Sequence, residues 1–386
     1  MLFCLKKRKL DRCEMEKRRV VISPPSLKLW RDLRRKKKMA MHHEYEWKDR
    51  SVFVTGASGL LGGWLVDELV ARGASVTVLV RDRLPFSLLA TRGLENRVNL
   101  VAGDLCDFPS LQRILNEFDI NTVFHLGAQA IVGYANRSPL STFHSNIEGT
   151  WNLLEACRLS PWVKKIVVAS SDKAYGTPEK LPYTEDMPLL ARHPYDVSKS
   201  CSDLIAQSYF HTYQLPVCIT RCGNIFGGGD LHFNRIVPRT IKLLLQDEQP
   251  AIRSNGLLIR DYVYVKDVVH GYLLLAEKMD DQKILGEVFN ISEETPLTVI
   301  EMVQLIAKVM GKGPVSPKIQ GVISGEIPEQ YLSCEKARKL LGWKAQWGIE
   351  QGLKETHQWY KEFFDNEIGK NYSVNYEKKS SLFDVL

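Results

Sequence analysis

Long apolar runs are absent from this 386-residue chain. No stretch approaches the ~20 consecutive apolar residues that a membrane-spanning helix needs, and no short apolar core of export-signal form follows the basic N-terminal residues. A cytoplasmic location is the expectation. Cysteine pairing is missing too: Cys4, Cys13, Cys106, Cys157, Cys201, Cys218, Cys222 and Cys334 form no CxxC pair, and no histidine stands at zinc-finger spacing. Reduced, mostly buried thiols and no metal are expected. No fixed-period repeat occurs. A net positive surplus is missing outside the first 50 residues, which hold 17 Lys/Arg against 7 Asp/Glu. That surplus of ten exceeds the whole-chain charge of +7, so the remainder carries −3. Such a body offers no reason to expect nucleic-acid binding.

The basic leader contains Lys6-Lys7-Arg8-Lys9 and Arg34-Arg35-Lys36-Lys37-Lys38. It reads as a disordered tail or as a segment ahead of a true start at Met39 or Met41, with a polyanion-binding or targeting arm as the alternative. From Trp47 the chain becomes periodic. Strands are expected at Ser51–Thr55, Ala74–Val80, Val98–Ala102, Asn121–Leu126, Lys165–Ser170 and Val217–Thr220, with helices between, the first from Leu60 to Ala71. Apolar strands alternating with helices predict an α/β fold, a doubly wound parallel sheet. Beyond Gly223 the pattern loosens: a helix is expected from Arg235 to Gln246, further helices at 296–311 and 333–341, and strands at Tyr262–Val265 and Glu287–Ile291 returning to the sheet. The expected organisation is a leader (1–46), a dinucleotide-binding domain (47–222), a smaller C-terminal substrate-binding lobe (223–364) and a polar tail (365–386).

Gly56, Gly59 and Gly62 stand between the first strand and the first helix, in Thr55-Gly56-Ala57-Ser58-Gly59-Leu60-Leu61-Gly62. Glycine lets a backbone turn tightly and approach a pyrophosphate, while the helix N-terminus faces the phosphates. Asp104, followed by Leu105, is placed to accept from an adenine amino group or to cap a helix. The second strand ends in Arg81-Asp82: an acid would hold a ribose 2′-hydroxyl and an arginine a 2′-phosphate, so NAD is favoured and NADP stays open.

Tyr195 and Lys199 are four apart on one helix face, behind Pro194 at a helix start. A neighbouring ammonium favours phenolate, which would make Tyr195 a base for a hydroxyl proton. The ionisable pair Asp172-Lys173 follows an apolar strand ending in Ser170-Ser171. The cysteines Cys218 and Cys222 read as packing, His125 and His193 as core or cap residues, and Trp151, Trp162, Trp343 and Trp347 as fillers of core and lobe contacts.

With these motifs the chain resembles the extended short-chain dehydrogenase/reductase family over roughly residues 47–360. Matching features are the glycine turn, Gly103-Asp104-Leu105, His125-Leu126-Gly127-Ala128-Gln129, Asn146, Ser171, Tyr195-x-x-x-Lys199 and Arg260-Asp261-Tyr262. The resemblance implies a Rossmann fold, a tightly held nicotinamide cofactor, a nucleotide-sugar substrate and a homodimer joined through helices. It implies cofactor contacts from Ser58, Leu60, Leu61, Leu126, Ala128 and Gln129 besides the residues above. Ser171-Asp172-Lys173 and Asn224 look like those of CDP-glucose 4,6-dehydratases, whereas Arg260–Asp267 has the general epimerase/dehydratase form, so GDP-, UDP- and dTDP-sugars stay open. The implied reaction starts when Tyr195 takes the C4 hydroxyl proton as hydride leaves C4. Water is then eliminated across C5 and C6, with Asp172 as acid and Lys173 as base, and hydride returns to C6. Ser171 would hydrogen-bond the C4 oxygen, Asn146 and Asn224 would face the substrate, and Arg235 and Arg260 would take its diphosphate. A nucleotide-sugar 4-epimerase using the same Tyr195 is the alternative.

Overall fold

The protein is described by a computed structural model covering residues 47–321 and 327–366, together with Gly369 and Tyr372. The leader and most of the tail from residue 367 lie outside the described residues.

β-Branched runs that alternate with helices assemble as the spacing predicts, and all but the edge strand Asn99–Ala102 are largely buried. Ser51–Thr55 (β1), Ser75–Val80 (β2), Asn99–Ala102 (β3), Thr122–His125 (β4), Lys165–Ala169 (β5), Val217–Cys222 (β6) and, much later, Val288–Ile291 (which becomes β9) form one sheet. Its order is β9-β6-β5-β4-β1-β2-β3 and every pairing is parallel. Leu60–Ala71 (α1), Phe108–Glu117 (α2), Gly149–Leu159 (α3) and Pro194–Tyr213 (α4) cover it. Leu153 and Leu154 of α3 and Ala206 of α4 pack onto Ile166, Val168 and Ile219 in one buried cluster. The chain runs outward from β1 to β3 and then restarts at β4 on the other side of β1. That reversal opens a crevice at the carboxyl ends of β1 and β4, where ligands of doubly wound sheets bind.

Residues after Cys222 build a second, smaller sheet. Ile259–Tyr264 (β8) is its spine, with Asn224–Phe226 (β7) and Glu329–Gln330 (β11) parallel to it and Pro296–Thr298 (β10) antiparallel. The expectation for Tyr262–Val265 is therefore corrected: this strand joins the second sheet, and only the later one returns to the first. Apolar alternation marks a strand without naming its partner, and β7 lies only a residue beyond β6 to recruit β8 away. Ile236–Leu245 (α5) carries Arg235 and Gln246 as its caps. Val265–Lys278 (α6) runs straight on from β8. The helix expected from 296 instead begins at Val299 (α7, Val299–Val309), behind a capping box of Thr298 and Glu301. Ala337–Leu341 forms a short π-helical turn, and Gly348–Asp365 (α8) follows it. No helix among the described residues is long and apolar enough to cross a membrane.

Candidate active site

The glycine turn is forced by close backbone approach. Gly56 has φ +75°, and a Cβ there would stand 2.8 Å from the backbone of Leu126 and Gly127 at the end of β4. A Cβ on Gly62 would lie 2.1 Å from the Gly56 carbonyl oxygen. Gly59 is the N-cap of α1 and no side chain caps that helix, so its first N–H groups remain available to an anion. Leu60 and Leu61 send their side chains against the hydrophobic cluster of the second sheet, which leaves their backbones at the turn; Ser58 stands beside them, half-buried. An uncapped helix behind a side-chain-free turn fits the pyrophosphate of a dinucleotide.

The neighbouring turn after β4 is tied down by a chain of buried side chains. Thr55 Oγ1 accepts from the Leu126 and Gly127 amides at 3.1 and 3.0 Å and lies 2.9 Å from His125 Nδ1. His125 Nε2 lies 2.9 Å from Thr150 Oγ1, which donates to the Asn146 carbonyl. This pattern places the imidazole proton on Nε2, and burial, helped by the charge of Lys199, lowers the His125 pKa to about 3. His125 is thus a neutral core residue. Asn146, expected against substrate, is 1% exposed. Its carboxamide accepts from the Gln129 amide at 2.6 Å and donates to the Gln129 carbonyl and Ser198 Oγ at 3.1 and 2.8 Å. With those bonds made it fastens the Ala128–Gln129 turn to α4 and is not directed at a sugar. Leu105 packs against Gly127 and Gly149. Asp104 accepts from the Cys106 amide at 2.9 Å, whereas the cap of α2 is Asp107. Arg81 and Asp82 are exposed and paired with each other at 2.7 Å.

The reactive side chains converge at the end of β5. Ser171 caps the short turn Asp172–Tyr175, accepting from the Lys173 amide at 3.2 Å and donating to Asp172 Oδ1 at 3.1 Å. Asp172 is 3% exposed, and its Oδ2 has no hydrogen-bond partner, like the neighbouring Ser170 hydroxyl. Burial raises the Asp172 pKa, against the opposing charges of Lys173 and Arg260. α4 starts at Pro194 with His193 as its N-cap and brings Tyr195 to the same place. Burial pushes the Tyr195 phenol up to about 12, with a Ser171 hydrogen bond and the Arg235 charge opposing the rise. The expectation that Lys199 depresses this phenol is not met. The Lys199 ammonium donates to the Ala169 carbonyl at the end of β5, and burial lowers its own pKa to about 8. Ser171 is the hydroxyl that eases phenol ionisation here.

The proposed phosphate-binding arginines differ in placement. Arg235 is 39% exposed at its side chain, bonded to Asp230 at 2.9 Å and within the field of Tyr195. Arg260 is 6% exposed and donates to the Ile259 and Pro328 carbonyls at 2.8 and 3.3 Å, a buried setting unlike the open diphosphate fork expected of it. Asn224 opens β7 in register with Tyr262. Trp151 and Trp162, expected in the core, are 45% and 50% exposed.

The sequence assigns no role to five buried polar residues that lie at or near this site. Asp196 follows Tyr195, is 5% exposed and shares the field of Lys173 and Asp172. Asp261 accepts from the Leu332 amide and is raised to about 6 by burial. Arg221 of β6 grips Asp203 of α4 through two bonds of 2.8 and 3.0 Å, both side chains buried, with its guanidinium 4.6 Å above the Tyr175 ring. Gln330, wholly buried on β11, accepts from Lys173 Nζ at 3.1 Å. Only the family-like Arg-Asp-Tyr run signalled one of them, Asp261.

Known proteins share this fold. The profile of the GDP-mannose 4,6 dehydratase family matches residues 53–356. CDP-glucose 4,6-dehydratase of Salmonella typhimurium is 29% identical over 83% of this chain and 93% of its own. UDP-glucose 4-epimerase 3 of Oryza sativa is 30% identical over 85% of this chain and 93% of its own. The crystal structure of dTDP-glucose 4,6-dehydratase from Bacillus anthracis in complex with NAD superposes with a TM-score of 0.72 at 26% identity, covering 82% of this chain and 98% of that one. With the Rossmann sheet, the glycine turn and the Ser171–Tyr195–Lys199 constellation in place, the chain belongs to the GDP-mannose 4,6-dehydratase family of extended short-chain dehydrogenase/reductases.

Proposed function

We propose that this protein is a nucleotide-sugar 4,6-dehydratase, acting on an NDP-hexose, with CDP-glucose first among the candidates. The observation that carries this reading is Asp172: a buried carboxyl, raised by desolvation, with one oxygen unpartnered, beside Ser171 and Tyr195. A carboxyl kept protonated can donate to a leaving hydroxyl, which a simple epimerisation at C4 does not require. The Salmonella relative and the Ser-Asp-Lys run support CDP-glucose.

NAD, held by the Gly56–Gly62 turn, Arg81-Asp82, Asp104, Leu105 and the Leu126–Gln129 turn, supplies the acceptor and donor of hydride. Ser171 Oγ hydrogen-bonds the sugar C4 oxygen, and Tyr195, once its phenol has released its own proton to solvent, takes the C4 hydroxyl proton on Oη. Lys199 orients the cofactor side of α4 from the end of β5. Once C4 is a ketone, the C5 proton is acidic. Lys173 removes it while Asp172 Oδ2 gives its proton to the departing C6 hydroxyl, so water leaves and a C5–C6 double bond forms. Hydride delivery to C6 with reprotonation at C5 yields the 4-keto-6-deoxy sugar with no net redox change. Arg235 and Asn224 face the nucleotide-sugar.

The enzyme works as a homodimer in the cytoplasm on this reading. Trp151 and Leu159 of α3 and Leu204 and Tyr213 of α4 are each 45–55% exposed, an apolar face on two packed helices suited to a second copy. The six cysteines among the described residues are free thiols, fitting a reducing compartment. Joint Trp151→Glu and Leu204→Glu replacement should give a monomer by light scattering. For activity, incubation with CDP-, GDP-, UDP- and dTDP-hexoses should yield the alkaline ultraviolet absorbance of a 4-keto-6-deoxy sugar. Recovery of a C4 epimer with its C6 hydroxyl intact overturns the dehydratase in favour of the epimerase.

A further inference from the structure

We infer that Gln330 is a positioning residue for the elimination step, a neutral clamp that holds the Lys173 amine in place from the second sheet. The inference deepens the dehydratase reading and rests on Lys173 as the base.

The clamp is set on a stiff mount. β11 is only two residues long, yet Gln330 is in parallel register with Arg260 of β8, and the Ile259 amide donates to the Pro328 carbonyl at 2.9 Å. The Tyr183 amide donates to the Tyr331 carbonyl and the Ser333 amide to the Tyr183 carbonyl, each at 2.9 Å. The Leu332 amide donates to Asp261 at 3.2 Å. The segment is thus bonded on one side to β8 and on the other to the stretch that follows the Asp172–Tyr175 turn. Gln330 is 0% exposed and its Oε1 receives the Lys173 ammonium at 3.1 Å, across 157 residues of sequence.

An amide oxygen suits this task better than a carboxylate. An amine that acts as a base must shed a proton and yet stay in place. Both the ammonium and the free amine retain N–H donors for a carbonyl oxygen, so the bond to Gln330 survives deprotonation. A carboxylate would favour the ammonium and hold the base in its inactive form. Two carboxyl groups already lie in the field of Lys173, Asp172 on its own turn and Asp196 on α4, and burial raises the pKa of both. Arg260 of β8 acts on Asp172, and His193 at the head of α4 acts on Asp196. A neutral partner adds no further charge to that balance. Because Gln330 sits on the second sheet, any shift of that sheet is passed to the base directly.

The test uses the full-length enzyme with bound cofactor and three variants. In Gln330→Leu the amine loses its anchor: elimination should fall about 100-fold, while C4 oxidation, read as reduced-nicotinamide absorbance on mixing with substrate, and KM stay within about two-fold. In Gln330→Glu the anchor is kept but charged: elimination should return at high pH, with the rising limb of its pH profile displaced upward by about one pH unit. Gln330→Asn, one methylene short, should fall between the two. NMR titration of the Lys173 amine, which needs no substrate, should move upward in Gln330→Glu. Unchanged elimination in Gln330→Leu overturns the inference, as does parallel loss of both half-reactions with a lowered Tm, or an unmoved Lys173 titration. Failure of the dehydratase reading itself would show differently, as a wild-type enzyme that leaves C6 intact with every hexose while the Lys173 titration still responds to residue 330.

Discussion

On the β1–β4 wall of the crevice, Thr55, His125, Asn146, Thr150, Ser198 and Ser202 are all joined to one another or to backbone. On the wall at the end of β5, Asp172 Oδ2 and Ser170 Oγ find no partner, and burial raises Asp172 together with Asp196 of α4 and Asp261 of β8, which lie in its field. The first wall is built as core: its polar groups are neutral and saturated. The second stores unspent hydrogen-bonding capacity and carboxyls whose pKa values burial raises, an arrangement that costs stability and pays only when a substrate arrives. Side by side, they show that holding a ligand and transforming one demand opposite treatment of buried polar atoms.

Variants can break this contrast. The largest effect belongs to Tyr195→Phe, which removes one hydroxyl and should lower kcat about 1,000-fold with the Tm unchanged; unaltered turnover would exclude Tyr195 as the base. Asp172→Asn should slow elimination about 100-fold while C4 oxidation continues, visible as persistent reduced-nicotinamide absorbance. On the opposite wall, Gly62→Ala drives a Cβ to 2.1 Å from the Gly56 carbonyl. It should cost about 1–3 kcal/mol in thermal unfolding and weaken NAD binding in a melting-shift assay.

The smallest effects are in the pH dependence of stability, where the two walls have opposite signs. His125 drops from an ordinary 6.5 to about 3 in the fold. The unfolded chain therefore binds the extra proton first, and stability is lost as pH falls from 6.5 towards 3. Asp261 rises from 3.8 to about 6. Here the fold holds the proton longer, and stability is lost as pH climbs from 3.8 through 6. Urea titrations should show Asp261→Asn steepening the gain of stability between pH 4 and 6, and His125→Gln flattening it.

Much of the first wall was legible in the sequence because it depends on local rules. The span of α1, the glycine turn and the alternation that makes a parallel sheet follow from periodicity and from backbone geometry at two or three positions. The second wall was half legible. Ser171, Asp172, Lys173 and Tyr195 do converge, since strand ends and helix starts place them there. The state of the phenol was misjudged because spacing along a helix shows that two side chains share a face, not that their charged ends meet; Lys199 turns to a strand carbonyl instead. Asn146 looked like a ligand contact because a polar residue in a motif gives no sign of whether its bonds are spent internally. Gln330 was invisible, as a two-residue strand has no period to detect. β8 was recognised as a strand but assigned to the wrong sheet, because pairing depends on tertiary neighbours that alternation does not encode.

The buried grip of Arg221 on Asp203 has a consequence for how this chain can diverge. Deleting either partner strands the other's charge away from water, a penalty of about 3–5 kcal/mol, whereas exchanging both for apolar residues of matching volume is often neutral. One member lies on a central strand and the other on the helix that carries Tyr195 and Lys199. Drift at either position is therefore blocked one substitution at a time. Descendants of this gene should keep the pair or lose it whole, and a library randomised at both codons together should yield folded members that neither single-site library contains.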